Sequence, residues 1–284
     1  PRGFASLKAV IDRLHAAGIK AVPTGIDHGT VTLVVDDIPF EVTTFRRDVA
    51  TDGRRATVAF ADDISDDARR RDFTMNALYA APDGTVSDPL GGLPDLQARR
   101  VRFIDDAAQR IREDYLRILR FFRFHAWYGD AGMGLDAEGL AACAMNLDGI
   151  AGLSRERITA EMLKLLAAPD PAPSVAAMGQ SGVLAQVLPG ADAGPLPVLV
   201  HLEGEAGIAP DAIRRLAVLG GQRDRLRLSK DQTRQLDEIT AELPLAELAY
   251  RHGAAAGQDR VLLLAASLGQ PISAQDLQVV DHAA

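Results

Sequence analysis

The stretch Arg112-Glu113-Asp114-Tyr115-Leu116-Arg117-Ile118-Leu119-Arg120-Phe121-Phe122-Arg123-Phe124 combines an apolar, aromatic stripe with four arginines and two adjacent acids. With its flanks it predicts one long helix from Ala107 to Tyr128. At about 3.6 residues per turn, Asp114 and Arg117 of such a helix stand side by side on adjacent turns, a carboxylate acceptor next to a guanidinium donor. Cytosine and adenine each carry an exocyclic amino donor beside a ring-nitrogen acceptor, which this pair complements. Uracil and guanine present the reverse and would leave polar groups unmatched, at about 1–3 kcal/mol each. On spacing alone the simpler reading is an intrahelical salt bridge of about 0.3–0.5 kcal/mol.

Working outward, Ser154 reads as the N-cap of a helix running to about Leu166, with Ile158, Met162, Leu165 and Leu166 on one side. The Pro169-Asp170-Pro171-Ala172-Pro173 segment is a corner between helices, and the Ala- and Leu-rich remainder predicts helices without strands. Upstream the character is mixed. Thr30 to Val35 alternates apolar positions, Asp36-Asp37 is turn chemistry and Phe40 to Phe45 follows, which predicts a hairpin. Ala56 to Phe60 is a third strand. A helix is expected to start near Asp66 and carry Arg70 to Tyr79, and a short strand at Arg100 to Ile104 closes the region. The fold class is therefore α+β: a small mixed sheet with helices, followed by an all-helical part.

Composition narrows the function classes. The chain has 284 residues, 47% apolar and 25% charged, with no apolar stretch of the ~20 residues that a membrane helix needs. No membrane role is expected. The single cysteine, Cys143, lies in an apolar run and reads as a buried thiol of a cytoplasmic, reducing compartment. A net charge of −8 argues at first against nucleic acid. Its distribution argues otherwise: lysine occurs only at positions 8, 20, 164 and 230, so the cations are almost all arginines, bunched between Arg46 and Arg123. Arginine suits bidentate contacts with phosphates and base edges.

Three further candidates carry chemistry. Glu41, between Phe40 and Val42 on a strand, is placed as a carboxylate facing a divalent metal would be, although an isolated strand glutamate more simply faces solvent. In Arg70-Arg71-Asp72-Phe73-Thr74-Met75-Asn76-Ala77 the two arginines suit a triphosphate, while Asp72 or Asn76 suits a ribose hydroxyl. His28-Gly29-Thr30 is a turn entering a strand, and His28 is not assigned as a base.

Taken in order, six segments resemble one family, the class II CCA-adding tRNA nucleotidyltransferases and the related bacterial poly(A) polymerases. They are Pro23 to Val31; Phe40 to Asp48 with Gly53-Arg54-Arg55; Arg70 to Ala77; Asp88-Pro89-Leu90-Gly91-Gly92-Leu93-Pro94-Asp95-Leu96; Arg112 to Phe124; and Ser154-Arg155-Glu156-Arg157-Ile158 with Glu161. The resemblance covers about residues 20 to 167. It implies a polymerase-beta-like nucleotidyltransferase head over residues 1–105, a helical neck over 106–168 and a helical, tRNA-binding body and tail over 169–284.

In such enzymes Glu41 is a catalytic metal carboxylate in a two-Mg²⁺ site, and Arg70, Arg71, Asp72 and Asn76 border the ribose and triphosphate. Glu113, Asp114 and Arg117, with Arg120 beyond them, match the signature that selects CTP and then ATP in place of a template. Arg157 and Glu161 match a neck motif that braces the base-reading helix. The implied partners are tRNA, CTP and ATP, with oligomeric state left open. A partial, A-only or CC-only adding enzyme, a poly(A) polymerase and a non-catalytic RNA-binding fragment are the alternatives. The family also carries an Asp-x-Asp pair ahead of the Pro-Thr-Gly-Ile segment, and none occurs in this sequence. The expectation is a chain missing that N-terminal part and inactive alone unless it is supplied in trans.

Overall fold

The computed structural model describes residues 7–25, 30–52, 55–61 and 63–283. They divide into two compact units, one drawn from within residues 1–72 and 76–91, the other from within residues 73–75 and 92–284. His28 and the Gly53-Arg54 pair lie outside the described residues.

In the first unit α1 (Leu7–Ala16) packs on a three-stranded antiparallel sheet in the order β1 (Lys20–Gly25), β2 (Thr30–Val35), β3 (Ile38–Thr43). The predicted hairpin is present, paired from Val35↔Ile38 to Thr30↔Thr43. Its two-residue turn places Asp36 and Asp37 at φ 49° and 62°, the left-handed region that tight hairpins require and aspartate tolerates. β4 (Arg46–Asp52) and β5 (Arg55–Phe60) make a second antiparallel pair, and α2 (Ile64–Arg70) follows. Asp63 caps α2 by accepting from the Ser65 N–H at 2.8 Å. A two-residue ladder of β6 (Tyr79–Ala80) with β7 (Val86–Ser87) completes the unit.

Two expectations fail at the boundary between the units. The helix expected to carry Arg70 to Tyr79 stops at Arg70, and Thr74–Asn76 forms only a 3-10 turn. Asp72, Phe73, Thr74 and Met75 are buried in succession, which the exposed face of a surface helix forbids. The expected strand at Arg100 to Ile104 reduces to a single bridge, Phe73↔Phe103. Three residues of the second unit are held there by side chains. Thr74 donates its hydroxyl to Asp95 Oδ2 at 2.5 Å, and Arg102 Nε and Nη2 donate to the same oxygen at 3.0 and 2.8 Å.

The second unit is helical: α3 (Leu93–Gln97), α4 (Ala107–Glu113), α5 (Leu116–Tyr128), α6 (Ala137–Met145), α7 (Arg155–Leu166), α8 (Ala172–Gln180), α9 (Val183–Val187), α10 (Pro195–Glu205), α11 (Ala212–Leu219), α12 (Lys230–Thr240), α13 (Leu245–His252), α14 (Ala254–Leu268) and α15 (Ala274–Ala283). One apolar core runs from Phe73 through Phe121, Phe122, Met162 and Leu216 to Ala266. Cys143 sits inside it, and burial pushes its thiol pKa well up. Among the described residues no helix is long and apolar enough to cross a membrane.

Candidate functional site

The helix expected from Ala107 to Tyr128 is two helices. Asp106 caps α4, accepting from the Gln109 N–H at 2.6 Å, and α4 ends where Asp114 turns extended, at φ −155° and ψ 105°. Asp114 then opens α5: its Oδ1 accepts from the Leu116 N–H at 3.1 Å. Its other oxygen, Oδ2, accepts from Arg157 Nη2 on α7 at 2.6 Å. The neighbouring Tyr115 ring lies against Gly149, where any Cβ would fall 1.9 Å from a ring carbon, so only glycine admits the ring.

This break corrects the expected geometry. Asp114 and Arg117 do not pair as neighbours on one helix: the Asp114 carboxylate is engaged by Arg157 and the Leu116 N–H instead. Arg117 pairs instead with Glu113, its Nη1 donating to Glu113 Oε2 and to the Arg110 carbonyl, both at 2.7 Å. Glu113 Oε2 also accepts from Nη1 of the buried Arg110. Glu113, Asp114, Arg117 and Arg157 thus form one cluster, in which Asp114 keeps 29% and Arg117 13% of its side-chain surface exposed. Two of the four or so lone-pair directions of the Asp114 carboxylate are engaged by the Leu116 N–H and Arg157, so it retains acceptor capacity toward solvent.

Below the cluster, Arg123 Nε donates to Glu161 Oε2 on α7 at 2.5 Å, and the guanidinium carbons of Arg123 and Arg120 lie 4.6 and 5.3 Å from the centroid of the Phe124 ring. Arg157 and Glu161, one turn apart on α7, therefore each hold a residue of the Asp114 to Arg123 segment. The α7 helix is itself fixed at both ends. Arg155 at its start donates to the Leu226 carbonyl through Nε and Nη2 at 3.0 and 2.6 Å. The buried Arg215 takes the carbonyl of Leu166, its last residue, and those of Ala168 and Pro169 beyond it.

In the first unit Asp72 is buried and its Oδ1 accepts from Asn76 Nδ2 at 2.7 Å, so these two predicted residues meet. Arg70 Nη1 lies 3.9 Å from Asp67, and Arg71 is held by Asp67, Tyr79 and the Asn76 carbonyl. Tyr79 was not a sequence candidate, since its contact with Arg71 spans a turn that no periodicity signals; Asp67 was readable only as an i,i+4 partner. Burial, then the bond to Asp67, raises the Tyr79 pKa. Glu41 lies exposed on β3, opposite Thr32 on β2. Among the described residues no group of three His, Cys, Asp or Glu side chains is placed to hold a metal ion.

Residues 5–102 match the poly(A) polymerase head domain, and residues 132–194 match a domain described as a probable RNA and SrmB-binding site of polymerase A. The chain belongs to the class II CCA-adding tRNA nucleotidyltransferase and bacterial poly(A) polymerase family.

Within this family it is 47% identical over 156 residues to mouse mitochondrial CCA tRNA nucleotidyltransferase 1, covering 55% of this chain and 36% of the mouse protein. It is 38% identical over 184 residues to the CCA-adding enzyme of Geobacillus thermodenitrificans, covering 64% of this chain and 45% of that enzyme. The chain thus spans less than half the length of these curated relatives. The Bacillus stearothermophilus CCA-adding enzyme in complex with CTP superposes with a TM-score of 0.68 at 26% identity, covering 93% of this chain and 68% of that one. The Thermotoga maritima CCA-adding enzyme complexed with tRNA shares the fold, with a TM-score of 0.67 at 17% identity over 98% of this chain and 70% of that one.

Proposed function

We propose that this chain carries the nucleotide-selecting machinery of a template-independent nucleotidyltransferase that adds C and A to the tRNA 3′ end. The observation that supports it most is the placement of Asp114 at a helix break, where Arg157 and the Leu116 N–H hold the carboxylate while part of it stays exposed. A carboxylate fixed before the base arrives loses little freedom on binding, which favours discrimination between bases. Asp114 accepts from the exocyclic amino group of cytosine or adenine, and Arg117, its guanidinium plane set by Glu113, donates to the adjoining ring nitrogen. Uracil and guanine meet the wrong polarity at both positions.

The remaining roles follow the same reading. Arg70 and Arg71 receive the triphosphate, the Asp72–Asn76 pair receives the ribose, and Arg120 lines the nucleotide side of α5. The head is assigned to residues 1–105, the neck to 106–168 and the helical, tRNA-binding body and tail to 169–284. Glu41 is the one carboxylate assigned toward Mg²⁺. A two-metal site needs several oxygens in convergence, and among the described residues no group of three His, Cys, Asp or Glu side chains gathers to supply them. A cytoplasmic location is proposed on the single buried thiol.

The test is calorimetric titration of the chain with CTP, ATP, UTP and GTP, beside the Asp114→Ala variant. CTP and ATP are expected to bind at least tenfold more tightly than UTP and GTP, and Asp114→Ala is expected to abolish the difference, since each mismatched polar contact costs about 1–3 kcal/mol. Equal binding of all four, or an unchanged preference in the variant, would remove the reading. Binding of ATP without CTP favours the poly(A) polymerase alternative.

A further inference from the structure

Arg71, just past the end of α2, is an exposed arginine held from several directions. Its Nε donates to Tyr79 Oη at 3.3 Å, its Nη1 donates to the Asn76 carbonyl at 3.2 Å, and its Nη2 lies 3.5 Å from Asp67 Oδ2. The Tyr79 ring lies under the guanidinium, 5.1 Å from its carbon to the ring centroid. Tyr79 is held in turn: its hydroxyl donates to Asp67 Oδ2 at 2.8 Å, and the Phe45 ring meets it edge-on at 6.0 Å. Arg71 still leaves 43% of its side-chain surface to solvent.

That combination is unusual for a merely structural arginine. An exposed ion pair contributes little, because solvent screens it and the long side chain resists ordering. Here a ring, a hydroxyl, a carboxylate and a carbonyl converge on one guanidinium and fix its plane, which is what bidentate phosphate recognition requires. The hydroxyl also has a set polarity. Since it gives its proton to Asp67, it meets Arg71 Nε as an acceptor, so the chain of bonds runs from arginine to tyrosine to aspartate.

We infer that Tyr79, with Asp67 behind it, is a positioning residue that orients the Arg71 guanidinium toward the triphosphate of the incoming nucleotide; this rests on the nucleotide-binding role proposed above for Arg71. Burial, then the bond to Asp67, shifts the Tyr79 pKa upward, in keeping with a hydroxyl that donates to Asp67.

The test uses the 284-residue chain and the variants Tyr79→Phe, Asp67→Asn and Arg71→Ala, titrated with ATP and with AMP in one magnesium-containing buffer, with melting temperatures recorded. Tyr79→Phe keeps the ring and loses only the hydroxyl. ATP affinity is expected to fall about fivefold in Tyr79→Phe and tenfold or more in Arg71→Ala, with AMP affinity unchanged in both. Asp67→Asn is expected to behave like Tyr79→Phe. If Arg71→Ala weakens ATP and Tyr79→Phe does not, the inference is overturned while the nucleotide role of Arg71 stands. If Tyr79→Phe weakens ATP and AMP alike, the residue is structural and the inference is overturned. If Arg71→Ala leaves ATP binding unchanged, the role of Arg71 falls and takes the inference with it.

Discussion

Replacing Glu203 by alanine measures how far the helical unit depends on one buried carboxylate. Glu203, on α10, is 2% exposed and receives Arg214 through Nε and Nη2, each at 2.8 Å, and Arg215 through Nε and Nη2 at 2.9 and 2.7 Å. With Asp259, which accepts from Arg214 Nη1 at 2.7 Å, the four side chains form a formally neutral group. Removing Glu203 leaves one excess positive charge among residues shielded from water. Breaking a buried pair in this way costs about 3–5 kcal/mol.

The surviving partners set the lower end of that range. Arg214 keeps Asp259 and the Ala209 carbonyl, and Arg215 keeps three carbonyls, so about 3 kcal/mol is expected. At a denaturant slope of about 2 kcal/mol per molar, the urea midpoint falls by about 1.5 M. Trp127 is the one tryptophan of the chain and lies in this unit, its indole N–H donating to the Lys164 carbonyl at 2.7 Å, so its fluorescence follows the transition directly. A fall of less than about 0.5 M would refute the reasoning, because the orphaned charge would then be relieved by water or a small shift of helices.

Two further outcomes follow from single positions. His125 is buried with Nδ1 2.8 Å from Ser174 Oγ, and burial lowers its pKa, so the unfolded chain takes up the proton first as pH falls. Its share of stability is full above the ordinary histidine value of about 6.5 and drains away as pH drops toward the lowered folded value. Urea midpoints at several pH values between 7.5 and 5 should therefore decline less steeply in His125→Gln than in the parent, and equal slopes would contradict the assignment. At Gly92 a Cβ would fall 2.0 Å from the Thr74 carbonyl oxygen, backbone that must move. Gly92→Ala is expected to cost about 1–3 kcal/mol, visible as a melting temperature lowered by several degrees, and an unchanged melt would show that the close approach is not rigid.

The parts of the fold legible in the sequence are those governed by local rules. The β2–β3 hairpin announces itself through alternation and a two-aspartate turn, and α7 through Ser154 and its apolar face. β1 and β4 were missed: β1 contains Pro23 and an irregular register between Val22 and Gly25, and β4, Arg46–Asp52, is too polar to alternate. The break at Asp114 was invisible because no glycine or proline marks it. It is held by Arg157, 43 positions away, and by a ring seated on Gly149, both tertiary interactions. The candidate residues were legible as types, whereas their partners, Glu113 for Arg117 and Tyr79 for Arg71, emerged only from the folded chain.

The passage of residues 73–75 into the helical unit has a practical consequence for anyone dissecting this protein. A fragment starting at Gly92 would lack Phe73, whose ring lies 5.0, 6.3 and 4.8 Å from those of Phe103, Phe121 and Phe124. The void left where that aromatic plug belongs would cost about 3–5 kcal/mol by analogy with phenylalanine deletions in other cores. The helical half is therefore completed by a tripeptide borrowed from upstream, and supplying that tripeptide as a fused or added segment would rescue it better than any shift of the cut site within residues 77–92.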